Sequence, residues 1–272
     1  MSIKMIAVDM DGTFLNSSST YDYEHFHKVY DKLKEKGIRF VVASGNPYKQ
    51  LQGKFEDIKD ELTYVAENGA YILEGSKELY LESLDDTNVE KIIRKLKELP
   101  DVLCWVCTKN QSYTLTSIPD HFHKMFLPYF PGVIKIEDFS MIKEPILKFA
   151  LFLPEKNVEE RIHDFMSITD EKVHVVDSGH YCVDIIPAHV NKGEGMQFLM
   201  KYLNINKDEI MAFGDAGNDE EMLKAVTYGY AMNNAKEEFK AKFNYIAPSN
   251  DDNGVLKVVE EYLENNIIMN LK

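Results

Sequence analysis

Cysteine is scarce in this sequence: Cys104, Cys107 and Cys182 are the three copies in 272 residues. So small and odd a set excludes a disulfide framework as the main source of stability. Cys104-Trp-Val-Cys107 has the spacing of redox and zinc sites, but the pair stands alone and sits inside the apolar run DVLCWVC. It reads as a pair of small hydrophobes in a buried strand. His121 and His123 match no metal motif either. Positive charge is also short, with 31 Lys and Arg against 45 Asp and Glu and a formal net charge of −14. A chain that holds nucleic acid by neutralising phosphates needs a basic face. No long basic run is present, so no nucleic-acid partner is expected. Long apolar stretches are missing as well, since none approaches the roughly 18 residues of a membrane span. The start, MSIKMIAVDMDGTF, turns acidic after a short apolar run, unlike a secretory leader. The expectation is a cytoplasmic protein with no membrane contact and no obligate protein partner.

What the sequence does contain suits a folded globular chain, with 44% hydrophobic and 28% charged residues. Its length allows one large domain or two modest ones. Ile3 to Val8 reads as a fully buried strand. A helix follows from Tyr23 to Lys36, with Phe26, Val29, Tyr30 and Leu33 at helical spacing and Gly37 as a C-terminal stop. RFVVASGN is a second short buried strand, and LTYVAENGAYIL continues the alternation. Strand, helix, strand, helix, strand predicts a parallel sheet with helices on both faces. The pattern changes after Leu81, with a helix over 87–99, strand-like runs near 102–107 and 112–116, ILKFALFLP, and a helix over 158–167. KVHVVDSGHYCVDIIP then predicts a hairpin turning at Ser178-Gly179. The first style returns after Pro187, with a helix from Gly193, the strand IMAFGD and a terminal helix from Gly254. The chain therefore divides into host, insert and host: 1–83, 84–188 and 189–272.

The main chemical signal is the position of the acids. The first strand ends in Asp9-Met10-Asp11-Gly12-Thr13, and a late apolar strand ends in Gly214-Asp215 followed by Asn218-Asp219. In open α/β sheets ligands gather beyond the carboxyl ends of the strands, so the fold brings these distant acids together. Neighbouring carboxylates repel when ionised, and a hard cation with oxygen ligands relieves that repulsion. Asp9, the backbone carbonyl of Asp11, and Asp215 are the expected ligands, with water and a phosphate oxygen completing the shell. Mg²⁺ fits this setting because it accepts few protein oxygens. Taken alone, DMDGT also fits an acidic turn or a calcium loop, but the regular ligand series with a closing Glu is missing.

At this point the sequence resembles the haloacid dehalogenase-like hydrolase superfamily, and within it the Cof-type (type IIB) sugar-phosphate phosphatases. DMDGT at 9–13, VVASGN at 41–46, Lys192-Gly193 and GDAGND at 214–219 match its four signatures in order, over essentially the whole chain. AENGA at 66–70 and SNDDNGV at 249–255 also look like this subgroup. The resemblance implies an α/β fold, a Rossmann-like parallel-sheet hydrolase core carrying an inserted α+β type IIB cap domain. It implies Asp9 as nucleophile, Asp11 as acid and base, and Lys192 as the cation balancing phosphoryl charge. Thr13, Ser44, Gly45, Asn46, Asn68 and Asn218 become candidates for binding phosphate or substrate. Asp219 joins Asp9, Asp11 and Asp215 around Mg²⁺, directly or through water.

One departure stands out. The second signature often continues with Arg, whereas here it runs Ser44-Gly45-Asn46-Pro47-Tyr48. Asn46 and Tyr48 are thereby placed to shape the sugar end. The insert is the expected seat of specificity, with His180, Tyr181 and Asp184 as candidate contacts. The expected partner is a small phosphorylated metabolite, foremost a sugar phosphate, cleaved through an aspartyl-phosphate. Phosphoglucomutase-like transfer between sugar hydroxyls and a non-catalytic metabolite-sensing module are the alternatives.

Overall fold

A computed structural model describes residues 2–153, 157–179 and 181–271. The chain opens with β1 (Met5–Val8), buried at every position. Strands covered on both faces read as continuous apolar runs, which is how MIAV reads. Next is α1 (Tyr23–Glu35), started by Asp22, whose side chain accepts the His25 N–H, and burying Phe26, Val29, Tyr30 and Leu33. Then come β2 (Arg39–Ala43), the short α2 (Tyr48–Gln52), β3 (Thr63–Ala66), β4 (Tyr71–Glu74) and β5 (Lys77–Leu81).

The middle of the chain holds α3 (Asp86–Glu98), β6 (Leu103–Thr108), β7 (Ser112–Leu115), α4 (Asp120–Phe126), β8 (Ile134–Ile136), β9 (Ile146–Phe152), α5 (Val158–Met166), β10 (Val173–Gly179) and β11 (Cys182–Pro187). The final third supplies α6 (Lys192–Leu203), β12 (Ile210–Gly214), α7 (Glu220–Ala225), β13 (Tyr228–Met232), α8 (Glu237–Lys240), β14 (Tyr245–Ala247) and α9 (Gly254–Asn265).

Two sheets result. The first runs β14-β13-β12-β1-β2-β3-β4-β5 and is parallel from β14 to β3, with β4 antiparallel to β3. From β1 the chain moves outward through β2 and β3, then re-enters on the other side of β1 as β12. The strand order thus reverses between β1 and β12, which is where doubly wound sheets open a ligand crevice. The second sheet runs β10-β11-β9-β6-β7-β8. Compactness divides the chain into Met1–Gly45, Ile58–Leu79 and Asn191–Lys272 as one unit, and Asn46–Asp57 with Tyr80–Val190 as the other.

In the second unit, Cys104, Val106, Phe149, Leu151, Val183 and Ile185 pack with Ile92 and Leu96 of α3 and Phe165 of α5. Trp105 and Cys107 belong to a separate cluster with Ile118 and Phe130. Cys104 and Cys107, three apart on one strand, therefore point to opposite faces of the sheet and cannot share a metal or form a bond. Burial also pushes the Cys104 thiol up. The hairpin differs from the sequence expectation. β10 continues through Ser178 to Gly179, which pairs with Cys182 after a register shift beyond Asp177. The extra residue of such a bulge moves the turn past Ser178-Gly179. Among the described residues no helix is long and apolar enough to cross a membrane.

Candidate active site

The site grows from the carboxyl ends of β1 and β12. The two strands pair in parallel with Val8 beside Phe213, and the Asp9 N–H donates to the Phe213 carbonyl at 3.0 Å. Asp9 therefore leaves β1 next to the Gly214-Asp215 turn, with its side chain buried. The chain then doubles back: the Phe14 N–H donates to the Asp9 carbonyl and the Leu15 N–H to the Met10 carbonyl. Gly12 allows this turn by adopting φ +84°, and a Cβ there would lie 2.5 Å from Asp215 Oδ2. Thr13 Oγ1 donates to Asp215 Oδ1 at 2.8 Å, tying the loop to the second acidic segment. Asp11 is exposed on the same loop.

Lys192 enters on the first turn of α6, a helix started by Asn191, whose side chain accepts the Glu194 N–H. Its side chain is wholly buried, with Nζ 2.6 Å from Asp9 Oδ1 and 2.6 Å from Asp219 Oδ1. The other Asp219 oxygen accepts the N–H groups of Asp215 and Ala216, each at 3.0 Å. Asp219 thus holds the lysine with one oxygen and the Asp215 turn with the other. Asp9, Asp215 and Asp219 bring carboxylate oxygens within 4.8 Å of one another.

This crowding shows in their acidities. Burial, and then the Asp219 charge, hold the Asp9 carboxyl well above the usual carboxylate range, although Lys192 pulls the other way. Burial and Asp219 likewise push Asp215 up to about 6, opposed by the Thr13 hydroxyl. Burial alone would lower the Lys192 ammonium, but Asp219 and Asp9 outweigh it and raise it above an ordinary lysine. One buried cation does not neutralise the acids around it. A divalent ion with a preference for oxygen would relieve the remaining repulsion, so the donor set fits Mg²⁺.

A second group of polar residues lies past β2, the other neighbour of β1. Ser44 is buried, its N–H donates to the Val65 carbonyl at 2.9 Å, and its carbonyl accepts the Asn68 N–H at 3.0 Å. The Gly45 backbone lies against the Asn68 amide. Asn218 Nδ2 donates to Asn68 Oδ1 at 3.3 Å, so the turn after β3 and the turn after β12 meet. The structure therefore gathers Asp9, Thr13, Lys192, Asp215 and Asp219 into one cluster, and Ser44, Gly45, Asn68 and Asn218 into another along the same strand ends. Asn46, Tyr181 and Asp184 belong to the other unit. There Tyr181 is exposed at φ +63°, and Asp184 is buried 3.8 Å from Lys148. His180 lies outside the described residues.

Two supporting residues were not among the site candidates of the sequence reading, although Asn250 lies in its SNDDNGV segment. Asn234 Nδ2 donates to the Gly12 carbonyl at 2.8 Å, and its Oδ1 accepts the Asn250 N–H. Asn250 Nδ2 donates to the Leu15 carbonyl at 2.8 Å. Together they brace the loop that carries Asp11, Gly12 and Thr13. For Asn234 the sequence signal was its position after β13, whereas Asn250, after β14, lay in the SNDDNGV segment that resembles the subgroup.

The haloacid dehalogenase-like hydrolase family model matches residues 6–259. The chain belongs to this family. The 5-amino-6-(5-phospho-D-ribitylamino)uracil phosphatase YbjI of Escherichia coli strain K12 is 36% identical over 267 residues, covering 97% of both chains. The crystal structure of SMU.1108c from Streptococcus mutans UA159 superposes with a TM-score of 0.89 at 38% identity, over 96% of this chain and 99% of that one. The subclass IIB sugar phosphatase BT4131 shares the fold, with a TM-score of 0.80 at 21% identity over 95% and 98% of the two chains. The Rossmann-like core sheet with a separate inserted domain is the two-domain type IIB architecture of this family, and the chain is a phosphatase-class enzyme.

Proposed function

We propose that the protein is a Mg²⁺-dependent phosphomonoester hydrolase that acts in the cytoplasm on a small phosphorylated metabolite, foremost a sugar phosphate. The observation that carries this reading is the buried Lys192, held at 2.6 Å by both Asp9 and Asp219 at the point where the strand order reverses. Asp9 is the nucleophile: one of its oxygens attacks phosphorus to give an aspartyl-phosphate, splitting a difficult transfer into two steps. Asp11, exposed on the same loop, protonates the departing alkoxide and then takes a proton from the water that cleaves the acyl phosphate. Lys192 balances charge on the phosphoryl oxygens and fixes the orientation of the Asp9 carboxylate. The Ser44 hydroxyl and the Gly45 N–H are donors for the remaining phosphate oxygens. Asp9, Asp215 and the Asp11 carbonyl would hold Mg²⁺, which supplies further charge neutralisation for the phosphate. Both Asp219 oxygens already serve Lys192 and the Asp215 turn, so we assign Asp219 a positioning role.

The Escherichia coli relative, a 5-amino-6-(5-phospho-D-ribitylamino)uracil phosphatase, favours a second substrate reading, a ribityl phosphate attached to a pyrimidine. Phosphate release from sugar phosphates, polyol phosphates, phosphoribitylaminouracil and flavin mononucleotide, with and without Mg²⁺, decides among these. Metal-dependent release from one group assigns the class. Isomeric sugar phosphate without free phosphate would replace hydrolysis by mutase transfer, and binding without turnover would leave a sensing module.

A further inference from the structure

Three consecutive residues between β3 and β4 have left-handed backbone: Glu67 at φ +50°, Asn68 at φ +57° and Gly69 at φ +104°. Asn tolerates this region and Gly favours it, but a Glu there is uncommon. All three are buried. A conformation of this kind persists only where the surroundings over-determine it, and it concentrates at functional sites.

The surroundings here are three separate segments. The Asn68 N–H donates to the Ser44 carbonyl at 3.0 Å. Its side-chain oxygen accepts from Asn218 at 3.3 Å. Gly45 packs so closely that a Cβ on it would lie 3.0 Å from that same oxygen. On the other side, a Cβ on Gly69 would lie 2.5 Å from the carbonyl of Asn191, the residue that caps the helix carrying Lys192. One buried turn thus abuts the Ser44-Gly45 segment, the Asn218 turn and the start of α6.

We infer that Glu67-Asn68-Gly69 is a bracket setting the spacing of these three segments, and that Asn68 is a positioning residue acting through Ser44 and Asn218, not a phosphate ligand. The kinetic part of this assignment rests on the hydrolase reading above; the structural part does not. The Ser44 donor and Lys192 come from chain segments almost 150 residues apart, as the numbering shows. Phosphoryl transfer depends on their spacing to within about an ångström, since a misplacement of that size can lower turnover roughly a hundredfold. A bracket that fixes spacing weighs far more on turnover than on ground-state binding of phosphate, for which Ser44 and Gly45 are two donors beside Lys192.

The test uses Asn68→Gly, which keeps left-handed backbone accessible and removes the amide. It also uses Asn218→Ala, at an exposed position where folding is not at risk, and the double variant. The expected result is a fall in kcat of about ten- to a hundredfold in each single variant. KM and the inhibition constant for orthophosphate should stay within about twofold, and the double variant should be no worse than the more impaired single one. An inhibition constant that rises in step with the loss, losses that multiply, or an unchanged kcat in Asn68→Gly would overturn the assignment. Amide hydrogen exchange supplies a readout without turnover. Exchange in 44–46, 191–195 and 214–219 should rise together in Asn68→Gly. A rise confined to 66–70 would remove the bracket even if the wild type were inactive. Wild-type inactivity with the concerted rise would instead retain the bracket and remove the hydrolase reading.

Discussion

Replacing Lys192 by Met keeps much of the side chain's apolar bulk and removes its charge. The loss leaves two buried carboxylates, Asp9 and Asp219, without the cation that sits 2.6 Å from each. Removing one member of a buried ion pair typically destabilises by about 3–5 kcal/mol, because the remaining charge is left desolvated. Asp219 keeps its two backbone donors, so Asp9 bears most of the loss and the same range holds for the triad. For a chain of this size each kcal/mol lowers the melting temperature by about 2–4 °C, which gives a fall of roughly 6–20 °C near pH 8. The sign of the pH dependence follows from the acidities. Asp9 is already raised by burial and Asp219, and without Lys192 it rises further. An acid raised in the folded state keeps a proton that the unfolded chain has released, so stability falls as pH rises from its unfolded value through its folded one. The lysine has the same sign in a higher pH window. Its raised folded pKa means that its stabilisation is fully present below its unfolded value and is lost only as pH rises through the folded one. The deficit of the variant should therefore shrink on acidification from pH 8 to pH 5. Thermal melts of wild type and Lys192→Met in EDTA across that range provide the assay. A fall under about 2 °C at pH 8, or a deficit that grows toward pH 5, would refute the electrostatic account. Adding Asp9→Asn to the lysine variant should recover part of the loss.

In Asp9→Asn alone, turnover should drop by about 10⁴-fold or more, as for other covalent nucleophiles, with no phosphoenzyme trapped by acid quench. Mg²⁺ activation should depend on pH through Asp215, whose carboxyl is pushed up to about 6. Below that value the ion must displace a proton from Asp215, so the Mg²⁺ concentration for half-activation should rise by at least about tenfold per pH unit there. A flat response from pH 5 to 7 would remove Asp215 from the ligand set. Gly12→Ala should raise the Mg²⁺ requirement and lower stability by about 1 kcal/mol or more, because it combines strained φ with a side-chain carbon pressed on Asp215. Equal Mg²⁺ titrations for wild type and Gly12→Ala would contradict that placement.

Much of the site was legible because its chemistry coincides with strand ends. Asp9 and Asp215 each follow an unbroken apolar run, and a doubly wound sheet leaves such acids little choice but to meet. Lys192 was legible from its signature, though not its complete burial, which depends on helix packing around α6. The contacts of Asn234 and Asn250 were not readable, although SNDDNGV marked the segment around Asn250, since each acts on a backbone carbonyl more than 200 residues away. The AENGA segment and its Asn-Gly pair marked a loop or turn at 67–69, but its burial and the positive φ of Glu67 were not readable, because Glu gives no sign of left-handed backbone. The hairpin turn was misplaced because a bulge beyond Asp177 shifts pairing, and Ser-Gly resembles a turn whether or not the strands end there. The cysteine pair illustrates the opposite case: strand alternation alone decides that Cys104 and Cys107 face apart.

The position of β1 also governs when the protein can first act. The strand that leads into Asp9 is flanked by β2 and by β12, whose residues lie about 200 positions later in the chain. During synthesis Asp9 emerges well before its partners at 192, 215 and 219. Until β12 leaves the ribosome, one edge of the first strand has no native neighbour and its carboxylate no lysine. The order of synthesis thus leaves the cluster incomplete until β12 has emerged, and the same long-range pairing makes its completion a late event in folding.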